Sequence, residues 1–201
     1  MSIAQLLLKC MQFSSFGNHC YFWAFYCYKM ELKGSGFILR EWLYGDEISL
    51  QKHADNPRIS AFLMDRFPYP YTMQDATEWV AIMQNQHPIT NFAIVINDQA
   101  CGGIGLELMY DINRKTAEVG YWLGEPYWGR GIATEALKLI TYYTFKNLDI
   151  VRLQAGVFSK NIPSMRVLEK TGYIKEGILR QAVVKNGEIM DKHMFSILKD
   201  G

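Results

Sequence analysis

A strand–helix–strand segment in the second half of this 201-residue chain limits the possible folds more than any other feature. Residues 117–123 (AEVGYWL) and 151–158 (VRLQAGVF) are rich in β-branched and aromatic residues and predict two strands. Between them a helix is predicted up to about residue 146, because apolar residues recur at helical spacing. Its inward face would consist of Ala133, Ala136, Leu137, Ile140 and Thr144. A helix that connects two strands of one sheet is a crossover, so we expect these strands to run parallel.

Two glycines stand directly before this helix, in the stretch EPYWGRGIATEAL at 125–137. Gly129 and Gly131 allow a tight turn, and the first N–H groups of a helix lack an intrahelical acceptor. Such N–H groups, at the positive end of the helix dipole, attract phosphate. On these residues alone an ordinary turn is the simpler interpretation, and a phosphate cradle is the alternative. The pattern matches neither a P-loop nor a dinucleotide-binding fingerprint.

The remaining periodicities predict mostly strands and a few short helices. Strands are expected at 37–43, 91–96 and 101–110, and a hairpin over 173–198 around Asn186-Gly187. Helices are expected at 47–54 after Asp46, from Asn56-Pro57 onward, from Thr72 to about 85, and from Pro163 to about Thr171. The glycines at 102, 103 and 105 indicate a bulge or a close backbone approach. We therefore expect one α+β (mixed α/β) domain with a largely antiparallel central sheet flanked by helices.

The composition is that of a globular protein with a sizeable core. Hydrophobic residues make up 49% and charged residues 20% of the chain. The net charge is +1, which favours neither nucleic acid nor an anionic membrane as a partner. The 4 cysteines form no CxxC and no zinc-finger spacing, so we expect free thiols and no metal. Without a long apolar span or a secretory leader, we expect a cytoplasmic protein.

Residues 1–29 differ from the rest of the chain. The stretch YFWAFYCY at 21–28 is almost wholly aromatic and follows neither helical nor strand periodicity. We interpret 1–29 as an extension of unknown role, followed by one domain over 30–201. The alternative is an additional element that packs its aromatic side chains on the domain, since an exposed patch this apolar would promote association.

Three motifs together carry a family resemblance. EVGYWL precedes the glycine turn, WGRGIATEAL forms it, and NIPSMRVLEKTGY follows one strand later. In this order and spacing they resemble the GCN5-related N-acetyltransferase (GNAT) superfamily, and within it the RimJ/RimL-like branch. The resemblance covers about 37–199. It implies an N-acetyltransferase with acetyl-CoA as co-substrate, and a sheet that splays at its parallel strand pair.

The resemblance also implies which residues bind acetyl-CoA. The family binds the pyrophosphate with the backbone of a [QR]-x-x-G-x-[GA] loop, which here reads W-G-R-G-I-A with Trp128 at the usual Gln/Arg position. The positions carried over are Gly129, Arg130, Gly131, Ile132, Ala133 and Thr134. The backbone around Trp122 and Leu123 would pair with the pantetheine arm, and a nearby N–H would polarise the thioester carbonyl.

The same resemblance suggests catalytic residues. Asn161 would bind the pantetheine arm or the developing amine site, although it is equally suited to cap the helix that follows it. Ser164 would lie close to the thioester sulfur. Many relatives use a tyrosine as the general acid at the position of Leu168, so this chain departs from the pattern. Ser164 is the substitute that the branch suggests, either as the acid or, because a hydroxyl is a weak acid, only as a hydrogen-bond donor. Glu118 is our candidate for the general base, with an ordinary solvent-facing charge at the strand end as the alternative.

The acceptor is the least constrained part of the prediction. Asp65, Tyr69, Tyr71 and Asp191 could shape an amine site, although an aromatic loop is as easily structural. The leading acceptor is a protein N-terminal α-amine. The alternatives are a small-molecule amine, such as an amino acid, polyamine or aminoglycoside, and a non-catalytic acyl-CoA-binding domain. A homodimer is left open.

Overall fold

The computed structural model describes residues 30–84 and 86–199. The expected extension at 1–29 lies outside these residues, so the domain start at residue 30 stays a prediction. The strands are β1 (Glu31–Gly34), β2 (Phe37–Arg40), β3 (Asn91–Ile96), β4 (Gln99–Leu108), β5 (Thr116–Leu123), β6 (Arg152–Phe158), β7 (Ile174–Lys185) and β8 (Glu188–Leu198). The helices are α1 (Glu47–Ala54), α2 (Pro57–Ser60), α3 (Met73–Gln84), α4 (Ile132–Asn147) and α5 (Ile162–Lys170), with 3₁₀ turns at Asp111–Asn113 and Glu125–Tyr127.

The eight strands form one sheet in the order β1-β2-β3-β4-β5-β6-β8-β7. Only the β5–β6 pair is parallel, and every other neighbouring pair is antiparallel. Helix α4 makes the crossover between β5 and β6. The predicted fold class and the predicted parallel pair are therefore confirmed.

The sheet is the middle of three layers, because alternate strand residues face opposite sides. In β3, Phe92 and Ile94 join the core that includes residues of α4 and α5. Ala93 and Val95, between and after them, join a second core with residues of α1 and α3. Buried apolar residues on both faces hold the helices against the sheet and fix its register.

Side-chain caps set several helix starts as predicted. The Asn56 side chain accepts a hydrogen bond from the Arg58 N–H and so begins α2, and the Thr72 hydroxyl accepts from the Asp75 N–H at the start of α3. The prediction was wrong for Asp46, which makes no side-chain cap to α1. Its buried carboxylate instead forms a two-pronged ion pair with Arg40, at 2.7 and 2.9 Å.

Two strand predictions needed adjustment. The strand expected at 37–43 ends at Arg40, and β1 precedes it as a hairpin partner. The glycine-rich strand β4 has the predicted irregularity, because the register with β3 shifts at Cys101. Close approach is also observed, since a Cβ at Gly102 would lie 2.6 Å from the Trp122 carbonyl oxygen.

Candidate active site

The sheet opens between β5 and β6. The two strands pair at only three positions, the last of them Glu118 with Gln154. Beyond this point β5 remains paired with β4 up to Leu123, whereas β6 continues with β8 up to Phe158. The parallel strands therefore separate into a V, as the sequence resemblance implied.

The β5 backbone exposes alternate residues to this V. The Gly124 N–H donates to the Cys101 carbonyl and the Met109 N–H donates to the Thr116 carbonyl, both within the β4–β5 ladder. Because antiparallel pairs alternate, Trp122 also bonds toward β4, while the N–H and C=O groups of Tyr121 and Leu123 point into the V. This alternation favours the backbone of Tyr121, one residue earlier, over that of Trp122, and the contact with the pantetheine arm itself stays a prediction.

The glycine turn has the backbone conformation that the sequence suggested. Gly129 and Gly131 have φ values of 75° and 79°, a region that other residues rarely adopt. Helix α4 begins at Ile132, so its first N–H groups have no acceptor within the helix. The cavity at the mouth of the V is lined here by Gly129, Gly131, Ile132, Ala133 and Thr134. These amides can hold an oxyanion such as a pyrophosphate.

Aromatic and charged side chains fix the turn against its surroundings. The Trp128 indole N–H donates to the Leu123 carbonyl at 2.6 Å, which ties the turn to the end of β5 and occupies that carbonyl. Arg58, which lines the cavity, lies 5.1 Å from the Trp128 ring centre and pairs with Glu125. The Arg130 guanidinium packs over the Tyr127 ring at 5.5 Å. Arg58 is therefore a second cation beside the turn.

The cavity reaches both faces of the sheet through the V. Its volume is about 1630 Å³, larger than a typical site for one small ligand. Glu118 and Trp122 line it on the α1/α3 face, while Tyr121 and Ser164 line it on the α4/α5 side. A cavity of this size and course can hold two substrates that meet at the V.

Ser164 forms a hydroxyl pair with Tyr121. Its Oγ lies 2.9 Å from the Tyr121 phenol oxygen, and its carbonyl oxygen lies 3.3 Å from the same atom. Burial raises the pKa of Tyr121 to about 12, which the hydrogen bond with Ser164 only partly offsets. The phenol is therefore a neutral hydrogen-bond donor at physiological pH.

Asn161 and Leu168, in the same NIPSMRVLEK segment as Ser164, have clear structural roles. The Asn161 side-chain oxygen accepts a hydrogen bond from the Ser164 N–H at 3.3 Å, so the predicted helix cap is confirmed. Asn161 also lines the cavity, which leaves its predicted ligand role open. Leu168 is fully buried in the core. A leucine side chain cannot donate a proton, so this position cannot supply the general acid that many relatives have there.

Glu118 stands where the V begins, on the α1/α3 face. Its carboxylate lies 3.5 Å from the ammonium nitrogen of Lys192 on β8, and both side chains are about three-quarters covered, with exposed fractions of 24% and 23%. Glu107 is directly opposite it on β4 and pairs with Arg66. Glu118 is thus a largely covered cavity residue and not a freely solvated charge.

The four suggested acceptor residues are mostly engaged elsewhere. Asp65 pairs with Lys185, and the Asp191 carboxylate accepts a hydrogen bond from the Gln181 N–H within the hairpin. Tyr69 is exposed, whereas Tyr71 is buried, lines the cavity, and has a pKa that burial raises to about 12. Of the four, only Tyr71 contributes to the cavity wall.

Comparison with known proteins identifies the family. The sequence model of the acetyltransferase (GNAT) domain matches residues 37–174, well over half of the chain. The chain belongs to the GNAT acetyltransferase family. An uncharacterized N-acetyltransferase, p20 of Bacillus licheniformis, is 29% identical to this GNAT domain over 175 residues, which cover 85% of this chain and 90% of p20. The ribosomal-protein-serine acetyltransferase of Escherichia coli is 31% identical over 109 residues, covering 54% of this chain and 60% of that protein.

Solved structures show the same fold. A RimL ribosomal L7/L12 α-N-protein acetyltransferase in complex with coenzyme A superimposes on this GNAT domain with a TM-score of 0.74. The alignment covers 84% of this chain and 98% of that protein at 22% identity. At this identity the likeness establishes the fold alone.

Two further features of this GNAT domain concern its described residues alone. Within 30–84 and 86–199, no three or more His, Cys, Asp or Glu side chains are grouped so that they could hold a metal ion. No helix in those two ranges has the length and hydropathy needed to cross a membrane.

Sequence reasoning missed three residues of the GNAT site. Tyr121, Arg58 and Lys192 are brought to the cavity by long-range pairing, which no local pattern reveals. The one available signal was at Tyr121, a hydroxyl-bearing residue on the strand face that otherwise carries Val119 and Leu123.

Proposed function

We propose that this enzyme transfers an acetyl group from acetyl-CoA to a primary amine by direct attack, with a protein N-terminal α-amine as the leading acceptor. The observation that carries the proposal is the V between β5 and β6, which opens beside the α4 amides and joins two sides of one cavity. A donor can enter from one side and an amine from the other.

The residues around the V fit acetyl-CoA. The amides at the start of α4, at Gly131 to Thr134, would hold the pyrophosphate, with Arg58 as an added positive charge. The backbone N–H and C=O of Tyr121 and the N–H of Leu123 would pair with the pantetheine arm, as a further strand would. Acetyl-CoA supplies the thioester, and this arrangement would bring its sulfur toward Ser164 on α5.

The chain's own groups then divide the chemistry. Glu118 would accept a proton from the incoming amine, because only the neutral amine is a nucleophile. A backbone N–H of Tyr121 or Leu123 would donate to the thioester oxygen and stabilise the charge that develops there. The Ser164 hydroxyl would donate a hydrogen bond to the sulfur. Ser164 would thereby take the role of the family tyrosine, whose position is occupied here by Leu168. A hydroxyl in this role favours a catalytic domain over a non-catalytic one.

One observation favours a protein N-terminus over a small amine, and one chemical argument favours an N-terminus over a lysine. Two proteins similar to this one are named as acetyltransferases of ribosomal proteins, and one of them as an α-N-protein acetyltransferase. An α-amine also has a pKa near ~8, compared with ~10.4 for a lysine, so it loses its proton with less help.

Thiol release from acetyl-CoA tests this proposal with a panel of acceptors. The panel contains peptides with free N-terminal serine or alanine, the same peptides with a blocked N-terminus and an internal lysine, and free amino acids, polyamines and aminoglycosides. We expect turnover on the free N-termini and little on the blocked peptides. Turnover on free small amines alone would replace the protein acceptor with a small molecule. Binding of acetyl-CoA without turnover on any member would contradict catalysis.

A further inference from the structure

Lys192 reaches across the sheet to the proposed base. It lies on β8, opposite Phe158 of β6, and its ammonium nitrogen is 3.5 Å from a carboxylate oxygen of Glu118 on β5. To make this contact the side chain crosses over β6 at the point where β5 and β6 separate. Lys192 and Glu118 both line the cavity, on the side of the sheet proposed for the acceptor.

Gly156 on β6 makes this crossing possible. A Cβ atom at Gly156 would lie 1.8 Å from the Lys192 Cε atom and 2.6 Å from its nitrogen, so any other residue would displace the lysine. Gly156 lies two residues beyond Gln154, the last β6 residue paired with β5. The absence of a side chain at Gly156 therefore leaves space for the Lys192 side chain at the opening of the V.

We infer that Lys192 is an internal acceptor, a lysine that this enzyme acetylates on itself when no external amine is bound. The inference rests on the proposed role of Glu118. A base that takes a proton from the acceptor must lie within hydrogen-bond reach of the acceptor nitrogen, directly or through one water. The Lys192 nitrogen lies 3.5 Å from that carboxylate, an ion-pair contact slightly longer than a direct hydrogen bond.

The step is an ordinary acyl transfer. The Lys192 ammonium gives one proton to Glu118, and the neutral nitrogen attacks the thioester carbonyl carbon. A C–N bond forms and the C–S bond breaks. The nitrogen loses its second proton as the amide forms, and the sulfur leaves with a proton as the free thiol of CoA. The net result is one acetylated lysine, one CoA thiol and one proton released to solvent through Glu118.

The experiment uses the full 201-residue chain and acetyl-CoA without an acceptor. Peptide mapping by mass spectrometry follows acetylation of Lys192 over time, with Lys160 as the internal reference. Lys160 also lines the cavity and pairs with a glutamate, Glu188, but its side chain is 58% exposed compared with 23% for Lys192. Spontaneous acetylation should therefore favour Lys160, whereas the enzymatic reaction should favour Lys192.

Three variants define the expected result. In the native enzyme Lys192 should be acetylated at least about 10-fold faster than Lys160, and Glu118→Gln should lower the Lys192 rate by about 100-fold, a typical effect of losing a general base. Lys192→Arg keeps the cation and should remove the signal. Lys146→Arg, at the far end of α4 beside Tyr142, is the matched control and should leave it unchanged. Urea-denatured enzyme should lose the preference.

The outcomes separate this inference from the proposed function. Equal acetylation of Lys192 and Lys160 by a preparation that turns over external amines would overturn the inference alone. Acetylation of Lys192 without turnover of any external amine would support the inference and contradict the proposed external acceptor. A preparation that neither binds acetyl-CoA nor modifies Lys192 would contradict both.

Discussion

The Tyr121 phenol oxygen lies 2.9 Å from the Ser164 hydroxyl oxygen and links β5 to the start of α5 across the V. When the phenol donates its hydrogen to this oxygen, the serine's own hydrogen is left free to point at the thioester sulfur. Because the pKa of Tyr121 is raised by burial, the phenol orients Ser164 as a neutral donor and does not itself supply the proton. We therefore regard Tyr121 as a positioning residue.

Tyr121→Phe should lower kcat about tenfold with little change in the KM for acetyl-CoA. A tenfold loss corresponds to about 1.4 kcal/mol, near the value of one hydrogen bond. Steady-state thiol release measures both constants. In a double-mutant cycle, Tyr121→Phe should add little once Ser164 is already alanine, because the hydroxyl that Tyr121 positions is then absent.

Tyr173→Phe is the matched control. The Tyr173 hydroxyl is buried as well and lies 3.0 Å from the Thr141 hydroxyl, not from Ser164. The Tyr173→Phe variant should have a lower free energy of unfolding but an unchanged kcat. Equal kcat values for the two phenylalanine variants would show that Tyr121 has only a structural role.

Glu118→Gln should reduce kcat/KM by about 100-fold or more, because the glutamine amide cannot accept a proton from the amine. Glu107→Gln is the matched comparison, since Glu107 faces Glu118 on the neighbouring strand and lines the same cavity. If the two variants lower kcat/KM to the same extent, Glu118 is not the base.

Gly131→Ala should weaken binding of acetyl-CoA, as measured by isothermal titration. The left-handed conformation at φ 79° is unfavourable for alanine, so the turn must shift and the α4 amides with it. Gly187→Ala provides the control, because Gly187 has a φ of 77° in the hairpin turn and is similarly open around its Cα. Both variants should lose about 1 kcal/mol of stability, and only Gly131→Ala should lose affinity.

Glu176 should make the fold acid-sensitive. Hydrogen bonds from Arg152, and then from Ser196, lower the pKa of Glu176 from 4.5 to about 2. A carboxylate whose pKa is lowered by folding stabilises the native state at pH values above the pKa that it has in the unfolded chain. This contribution is lost as the pH falls from about 4.5 toward 2. Because the side chain is 43% exposed, solvent screening limits the effect to about 1 kcal/mol or less.

Glu176→Gln tests this contribution. Urea unfolding should show the variant less stable than the native protein at pH 6, with a smaller difference at pH 3. A stability difference that stays constant across this range would contradict the assignment.

The main elements could be predicted because their causes are local. The apolar run of β3, the alternation in β5, the helical spacing in α4, and Asn186-Gly187 between β7 and β8 each act within a few residues. The turn glycines were also readable, because only their backbone conformation matters. The resemblance of three motifs then supplied the V, which the β5–β6 register confirms.

Long-range contacts explain what the sequence did not reveal. Asp46 was a plausible helix cap, but Arg40 on β2 provides a stronger partner for its buried carboxylate. Trp122 was a plausible contact for the pantetheine arm, but the β4–β5 hydrogen-bond alternation turns its backbone away from the V. Lys192 meets Glu118 only through the order of strands β5, β6 and β8 and the missing side chain of Gly156.

Thermal unfolding with and without acetyl-CoA tests most directly the claim that the V and the α4 amides form an acetyl-CoA site. A ligand that binds only the folded state at 100 times its Kd stabilises that state by about 2.7 kcal/mol. For a domain of this size the Tm should rise by about 5–10 °C, and Gly131→Ala should need more acetyl-CoA for the same rise. An unchanged Tm at millimolar acetyl-CoA would contradict the account.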